Sequence, residues 1–203
     1  MSREKIITGI DIGSTKISTV IASVLDNKVS VIGVSGNVPS KGINKGNVVD
    51  IDSAVEAISQ SVEKAERMAG ISVSNAFVTI NGSHIETLNS HGVVAVAPNE
   101  NADITREDVA RVIEAAQAVS LPSTREIIHV IPRDFVVNSQ EGIKDPVGMS
   151  GVRLEVETNV IHGSATAMRN IIKCVNKIAV DVDELVYSGL ASAEAVLTDT
   201  AKE

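Results

Sequence analysis

The sequence predicts a mixed α/β protein in which one layered domain is interrupted by a smaller α+β unit. Three observations carry that reading. β-branched runs bracket a Gly-Ser-Thr turn within the first 25 residues. Segments with apolar positions at helical spacing then alternate with further β-rich runs. Between His84 and Ile161 the order of elements changes, and the first style resumes from Ser164.

The 203 residues suffice for one large domain or two small ones with a real core. That core is aliphatic, because the chain has no Trp, one Tyr (Tyr187) and two Phe (Phe77 and Phe135). Val, Ile, Leu and Ala must fill it, which suits packed α/β layers. With 18 basic and 26 acidic residues the net charge is −8, a balance that argues against duplex nucleic acid as a partner. Cys174 is alone in an apolar helical pattern, so it reads as a core residue in a reducing compartment. No stretch approaches the ~20 apolar residues of a membrane span. Met1-Ser2 lacks the glycine of a myristoylation site, and the short apolar run before Asp11 is no signal peptide. The chain is expected to be soluble by itself.

The elements follow in order. Ile6–Ile12 and Lys16–Leu25 read as strands, Asp26-Asn27 as a two-residue hairpin turn, and Lys28–Gly36 as a third strand. A loop rich in Gly, Asn and Lys spans Asn37–Asn47. Asp52 or Ser53 caps a helix whose apolar positions are Ala54, Val55, Ile58, Val62, Ala65 and Met68, and Gly70 closes it. Ala76–Ile80 is a returning strand that ends at Asn81-Gly82. In the middle unit a strand lies around Gly92–Ala97. A helix capped at Thr105 follows, with Val109, Val112, Ile113, Ala116 and Val119 on its apolar face and Leu121-Pro122 at its end. Strands at Glu126–Val137 and Val152–Ile161 complete that unit. Its expected core is Val94, Val96, Val109, Val112, Ile113, Ile128, Val130, Val136, Leu154 and Val156. A helix from Ser164 through Ile178, a strand at Glu184–Tyr187 and a helix at Leu190–Leu197 close the chain. The predicted divisions are 1–83, 84–162 and 163–203.

The chemistry-bearing motif is Gly9-Ile10-Asp11-Ile12-Gly13-Ser14-Thr15-Lys16. Gly13 permits unusual backbone angles, and consecutive N–H groups in such a turn form an anion nest. The Ser14 and Thr15 hydroxyls add donors and Lys16 adds a positive charge. Asp11 at the strand end is placed to hold a divalent cation through water, since hard cations take oxygen ligands. An ordinary hairpin carries the same turn-favouring residues, so the phosphate reading needs context. In the Pro39–Gly46 loop, Lys41 and Lys45 leave two readings open: contact with a neighbouring protomer or acidic membrane, and a solvated connector. Arg106-Glu107-Asp108 reads as helix capping. The loop from Gln140 to Gly151, with three glycines and one proline, reads as a long turn and a protein-contact surface. Its candidate contact residues are Gln140, Glu141, Lys144, Asp145 and Met149, with Arg153 just beyond. His84, His91, His129 and His162 lack the spacing of a zinc site.

Taken together, these residues resemble the FtsA family of actin-like bacterial division proteins along nearly the whole chain. Gly9–Lys16 is similar to the family's first phosphate loop, and Pro39-Ser40-Lys41-Gly42-Ile43-Asn44-Lys45-Gly46 to its S-[RK]-G-x-x-K-G loop. His129-Val130-Ile131-Pro132 and the run from Gln140 to Leu154 resemble the signature of its inserted subdomain. Gly189-Leu190-Ala191-Ser192 through Thr198 resembles the helix before its second phosphate loop. The first element is shared with actins, Hsp70 chaperones and sugar kinases, whereas the Gln140–Leu154 run is specific.

The resemblance implies an actin-like, ribonuclease H-like subdomain (1A) split by an SHS2-type insertion (1C). It implies ATP and Mg²⁺ as cofactors, with Gly13, Ser14, Thr15 and Lys16 on the phosphates and Asp11 on the metal through water. It further implies self-association into filaments and a tie between the membrane and the ring-forming tubulin homologue of division. The inserted subdomain would recruit later division proteins at the cytoplasmic face of the inner membrane. The family's second phosphate loop, adenosine loop, tubulin-homologue contact and C-terminal amphipathic helix have no counterpart in these residues. ATP binding by this chain alone is therefore expected to be weak or absent. Relatives in the superfamily place an acid or amide after the strand that holds Tyr187. The position falls on Leu190, or on Glu194 if the register shifts by four, so no catalytic residue is assigned and at most slow ATP hydrolysis is expected. The other readings are a pilus-assembly actin homologue and a partner-binding module without nucleotide function.

Overall fold

The computed structural model describes residues 4–26, 28–96, 103–198 and 201. Asn27 of the expected turn and Ala97 of the expected strand lie outside them. In chain order the elements are β1 (Lys5–Ile12), β2 (Lys16–Leu25), β3 (Lys28–Val34), β4 (Val38–Pro39), β5 (Ile43–Asn44), β6 (Asn47–Val48), α1 (Ile51–Ala69) and β7 (Asn75–Ile80). There follow β8 (Glu86–Ala95), α2 (Arg106–Gln117), β9 (Arg125–Val137), β10 (Gln140–Ile143) and β11 (Arg153–Ser164). The last are α3 (Ala165–Asn176), β12 (Asp181–Tyr187) and α4 (Ser188–Val196). Two compact units result: Met1–Ile85 with Ser164–Glu203, and Glu86–Gly163.

In the first unit the sheet runs β12-β7-β1-β2-β3, with β4 paired to β2. β1, β2 and β3 are successive antiparallel neighbours, while β7 and β12 run parallel to β1. Alternation along the strands sorts the side chains. Thr8, Ile10 and Ile12 of β1 and Ile17, Thr19 and Ile21 of β2 are buried. α1 packs on β2 and β3, and α3 lies against α1 and β12. Ile58, Val62 and Ala65 are buried from α1, and Met168, Ile171 and Cys174 from α3. Cys174 is fully enclosed, and burial pushes its thiol pKa up. The buried Thr19 and Ser61 hydroxyls hydrogen-bond at 2.8 Å, and Ser61 donates to Ser35 Oγ at 2.9 Å. A polar group inside an aliphatic core is thereby satisfied.

The cap of α1 is Asp50, not Asp52 or Ser53. Its extended backbone (φ −145°, ψ 111°) lets Oδ1 accept from the N–H groups of Asp52 at 3.1 Å and Ser53 at 3.2 Å. The Ser53 hydroxyl donates to Oδ2 at 2.8 Å, and these bonds hold the Asp50 carboxyl below its ordinary pKa. At the other end Gly70 closes the helix through its N–H to the Glu66 carbonyl at 2.8 Å.

The second unit is a sheet of order β10-β9-β11-β8 with α2 against β8 and β9. β8 begins six residues before the expected Gly92, because it pairs with β11 over ten positions, from Ala95↔Arg153 to Glu86↔His162. Thr87, Asn89 and His91 supply no apolar alternation there. Ile104, Val112, Ala116, Phe135, Val137, Ile143, Leu154 and Val156 form the core, with Val94, Val96, Val109, Ile113 and Met149 packed against it. Three expectations need correction. In β9 it is Phe135 and Val137 that face inward, so Val136 does not belong to the core. Ile128 and Val130 are half-buried and lie outside this cluster. Val119 also lies beyond the helix, which ends at Gln117.

Thr105 caps α2 as expected. Its hydroxyl oxygen accepts from the Asp108 N–H at 3.2 Å, and the Asp108 carboxylate accepts from the Thr105 N–H at 2.9 Å. Asp108 is only 1% exposed and is also bonded to the Thr105 hydroxyl and the Arg111 guanidinium. Replacing it by alanine removes the reciprocal cap, and a loss of about 2 kcal/mol is expected. Urea unfolding of Asp108→Ala, with Asp108→Asn losing less, checks this. At the base of the unit, Arg125 Nε donates to His162 Nδ1 at 2.7 Å and Nη1 pairs with Glu86 at 3.3 Å. Burial and the neighbouring Arg125 lower the His162 pKa, so the imidazole is held neutral.

Candidate functional site

The hairpin joining β1 to β2 is the centre of the candidate site. Its arms pair from Lys5↔Val24 to Ile12↔Ile17, which fixes the tip at Gly13-Ser14-Thr15-Lys16. The Gly13 N–H donates across the turn to the Lys16 carbonyl at 3.0 Å. A Cβ on Gly13 would stand 2.9 Å from that carbonyl oxygen. Gly13 is thus needed for a close approach rather than for a left-handed backbone, which corrects the expectation of unusual angles. Its N–H is spent inside the hairpin. Ser14, Thr15 and Lys16 are exposed at the tip, and Asp11 is half-buried just before it.

The Pro39–Gly46 segment is bound to this hairpin. Lys16↔Pro39 and Ile17↔Val38 are paired positions, and the Ser40 N–H donates to the Thr15 carbonyl at 3.0 Å. The Gly46 N–H donates to Ser14 Oγ at 3.1 Å. Ser14 therefore receives one hydrogen bond and keeps its own hydroxyl proton to give. Gly46 is buried with φ +80°, and a Cβ on it would stand 2.0 Å from the Asn81 carbonyl oxygen. Three loops, after β1, after β5 and after β7, are stacked through that glycine. Lys41 and Lys45 are exposed on the segment's outer side.

Asp11 is oriented by a neighbour that sequence reasoning missed. The Thr79 hydroxyl donates to Asp11 Oδ1 at 2.7 Å and accepts from the Ile12 N–H at 3.2 Å. Asp11, Thr79 and Ser18, the residue paired with Asp11 on β2, line one end of a cavity of about 450 Å³. Phe77, Val186 and Ser192 are among the residues of its wall, between the sheet and α4. The first turn of α4 holds Ser188, Gly189 and Leu190, and Glu194 follows one turn later. The N-cap of that helix is Tyr187, which makes no side-chain capping bond. Among the described residues no three His, Cys, Asp or Glu side chains come together as direct metal ligands. One carboxylate beside hydroxyls suits a small cation that keeps most of its waters, as Mg²⁺ does beside phosphates.

In the second unit, β10 occupies the first part of what reads from the sequence as one long turn. Gln140 pairs with Val137, and Glu141 is exposed beside it. Lys144 Nζ donates to Asp134 at 2.9 Å and holds that carboxyl below its ordinary pKa. Asp145 Oδ1 accepts from the Val147 N–H at 3.1 Å, and Arg153 Nε pairs with Glu155 at 3.2 Å. Met149 packs on the core, while its carbonyl accepts from the Ile104 N–H at 2.8 Å. The segment is an ordered rim that leaves Gln140, Glu141, Lys144 and Asp145 facing outward. Among the described residues no helix is long and apolar enough to cross a membrane.

Residues 82–162 match the SHS2 domain inserted in FtsA. The chain is 42% identical to the cell division protein FtsA of Pseudomonas aeruginosa, over 98% of this chain and 47% of that protein. Identity to the FtsA of Borreliella burgdorferi is also 42%, over 100% of this chain and 49% of the relative. For Bacillus subtilis FtsA it is 40%, over 100% and 46%. The chain thus spans about half the length of the curated relatives it matches. Among solved structures, the PilM-PilN type IV pilus biogenesis complex is similar with a TM-score of 0.60 at 14% identity, covering 93% of this chain and 49% of that one. At that identity the likeness concerns the actin-like fold alone.

Proposed function

This chain belongs to the FtsA family of cell division proteins, over about half the length of its members, and we propose that it supplies the phosphate-holding half of an ATP-binding division adaptor. In this reading Ser14, Thr15 and Lys16 contact the β- and γ-phosphates, and Gly13 shapes the turn that presents them. Asp11 holds a Mg²⁺ ion through its waters, and the ion neutralises charge on the phosphates. The rest of a full-length protein closes the nucleotide from the other side, because affinity needs groups that converge from both. The first turn of α4 brings hydroxyl and apolar groups rather than a carboxylate, which supports a nucleotide switch with slow turnover.

The complete protein would polymerise, tie the division ring to the cytoplasmic membrane face and recruit later division proteins through the inserted unit. The ordered outward rim of Gln140, Glu141, Lys144 and Asp145 supports that last role. One observation carries the nucleotide reading: Asp11 is fixed by Thr79 immediately before an exposed Ser14-Thr15-Lys16 tip. In the full-length protein, Asp11→Ala is expected to weaken Mg·ATP binding at least about tenfold, as loss of a metal-orienting group does. Its thermal unfolding should stay unchanged. Wild-type affinity in the folded variant removes Asp11 from the metal site and overturns the reading.

A further inference from the structure

We infer that Thr79 is a positioning residue that sets the Asp11 carboxylate for a hydrated divalent cation, an inference that rests on the nucleotide reading above. Thr79 lies on β7, the parallel neighbour of β1, and the register Gly9↔Phe77 and Ile10↔Val78 places it beside Asp11. A hydroxyl has one proton and two lone pairs. Here the Ile12 N–H donates into the Thr79 oxygen at 3.2 Å. The single proton then goes to Asp11 Oδ1, at 2.7 Å. Both bonds act on adjacent residues of one strand, so the hydroxyl is locked in direction and the carboxylate is locked with it.

The chemistry explains why that matters. A hydroxyl bond to a carboxylate is charge-assisted and short, and it holds the acceptor more firmly than a neutral bond does. With one bond orienting Oδ1, Oδ2 would be free to accept a hydrogen bond from a water on the cation. The β-branched side chain of threonine is itself stiff about χ1, so the arrangement is built before any ligand arrives. Partners that orient a metal-binding group from outside its coordination shell change metal affinity about ten- to hundredfold.

The experiment is ATP binding by the full-length protein, measured against Mg²⁺ concentration and again in EDTA. Thr79→Val, which keeps shape and removes the hydroxyl, is expected to raise the Mg²⁺ concentration needed for half-maximal tight binding about tenfold or more. Affinity in EDTA should change less than about threefold. Thr79→Ser restores the bond and should behave as wild type. In the Asp11→Ala background, Thr79→Val should have no further effect on the Mg²⁺ dependence. Wild-type Mg²⁺ dependence in Thr79→Val, with Asp11→Ala still impaired, overturns this inference alone. Equal loss with Mg²⁺ and in EDTA, or loss in Thr79→Ser, makes the residue merely structural and also overturns it. Should Thr79→Val not fold, the same measurements on Thr79→Ala decide between these outcomes. No effect of Asp11→Ala overturns instead the nucleotide reading on which the inference stands.

Discussion

A variant in which Gly82 is joined to Gly163 by a short linker is expected to keep the first unit folded while losing all binding to later division proteins. The physical basis is the geometry of the two crossing strands. The Ser164 N–H donates to His84 Nδ1 at 3.4 Å, so the chain leaves and re-enters the first unit at one place. β8 and β11 then run side by side from Glu86↔His162 onward. A few residues bridge that gap, and a short closed loop costs little entropy. Ile10, Ile17, Ile58 and Val78, central to the first unit's core, all lie outside the removed segment. Circular dichroism melts and pull-down of division partners by the full-length deletion variant check the two halves of the expectation. An unfolded product refutes the boundary, and a folded product that still recruits partners refutes the binding role.

Gly46→Val should be severely damaging to the first unit. A β-branched residue at φ +80° is a true backbone outlier. Its Cβ would also meet the Asn81 carbonyl oxygen at 2.0 Å and the Gly82 Cα at 2.6 Å, both of them backbone. Neither neighbour is a flexible side-chain tip that swings aside. The strain and the clash together are expected to cost about 3 kcal/mol or more, a fall in melting temperature of about 6–12 °C for a chain of this size. Gly36 provides the control. It has φ +65°, and a Cβ there would meet nothing within 4 Å, so Gly36→Ala should lose only about 1 kcal/mol. Similar losses at both positions would show that backbone angle, not the stacking of loops, governs Gly46.

How much of the fold and the site is legible in the sequence depends on whether the signal is local. The β1–β2 hairpin, the Thr105 cap and the Ser164 start of α3 are written in neighbouring residues, and all three lie where the sequence puts them. The cap of α1 is displaced by two residues from its expected place because Asp50, Asp52 and Ser53 are all good capping types, and only Asp50 takes the extended backbone. Phe135 and Val137 are hard to tell from Val136 because three consecutive apolar residues carry no alternation to fix the inward face. The first part of β8 is hidden for the opposite reason, since its polar side chains offer no apolar period at all. At the site, the hairpin tip and Asp11 are readable from one motif. Thr79 is not, because its meaning arises from the register of two strands separated by 67 residues at the Ile12 bond. The clasp of Gly46 on Ser14 is equally non-local and turns a segment that reads as either contact surface or connector into a wall of the hairpin.

Tyr187 ends β12 and caps α4, and the chain has no tryptophan and no other tyrosine. Its ultraviolet emission therefore comes from a single point, the joint where the last strand of the sheet becomes the helix that walls the cavity beside Asp11. These 203 residues carry their own optical label at that joint. In this chain, quenching or lifetime changes on unfolding can be assigned to it without labelling chemistry. A single tryptophan introduced in the second unit would add a second colour and make the pair a spectroscopic ruler.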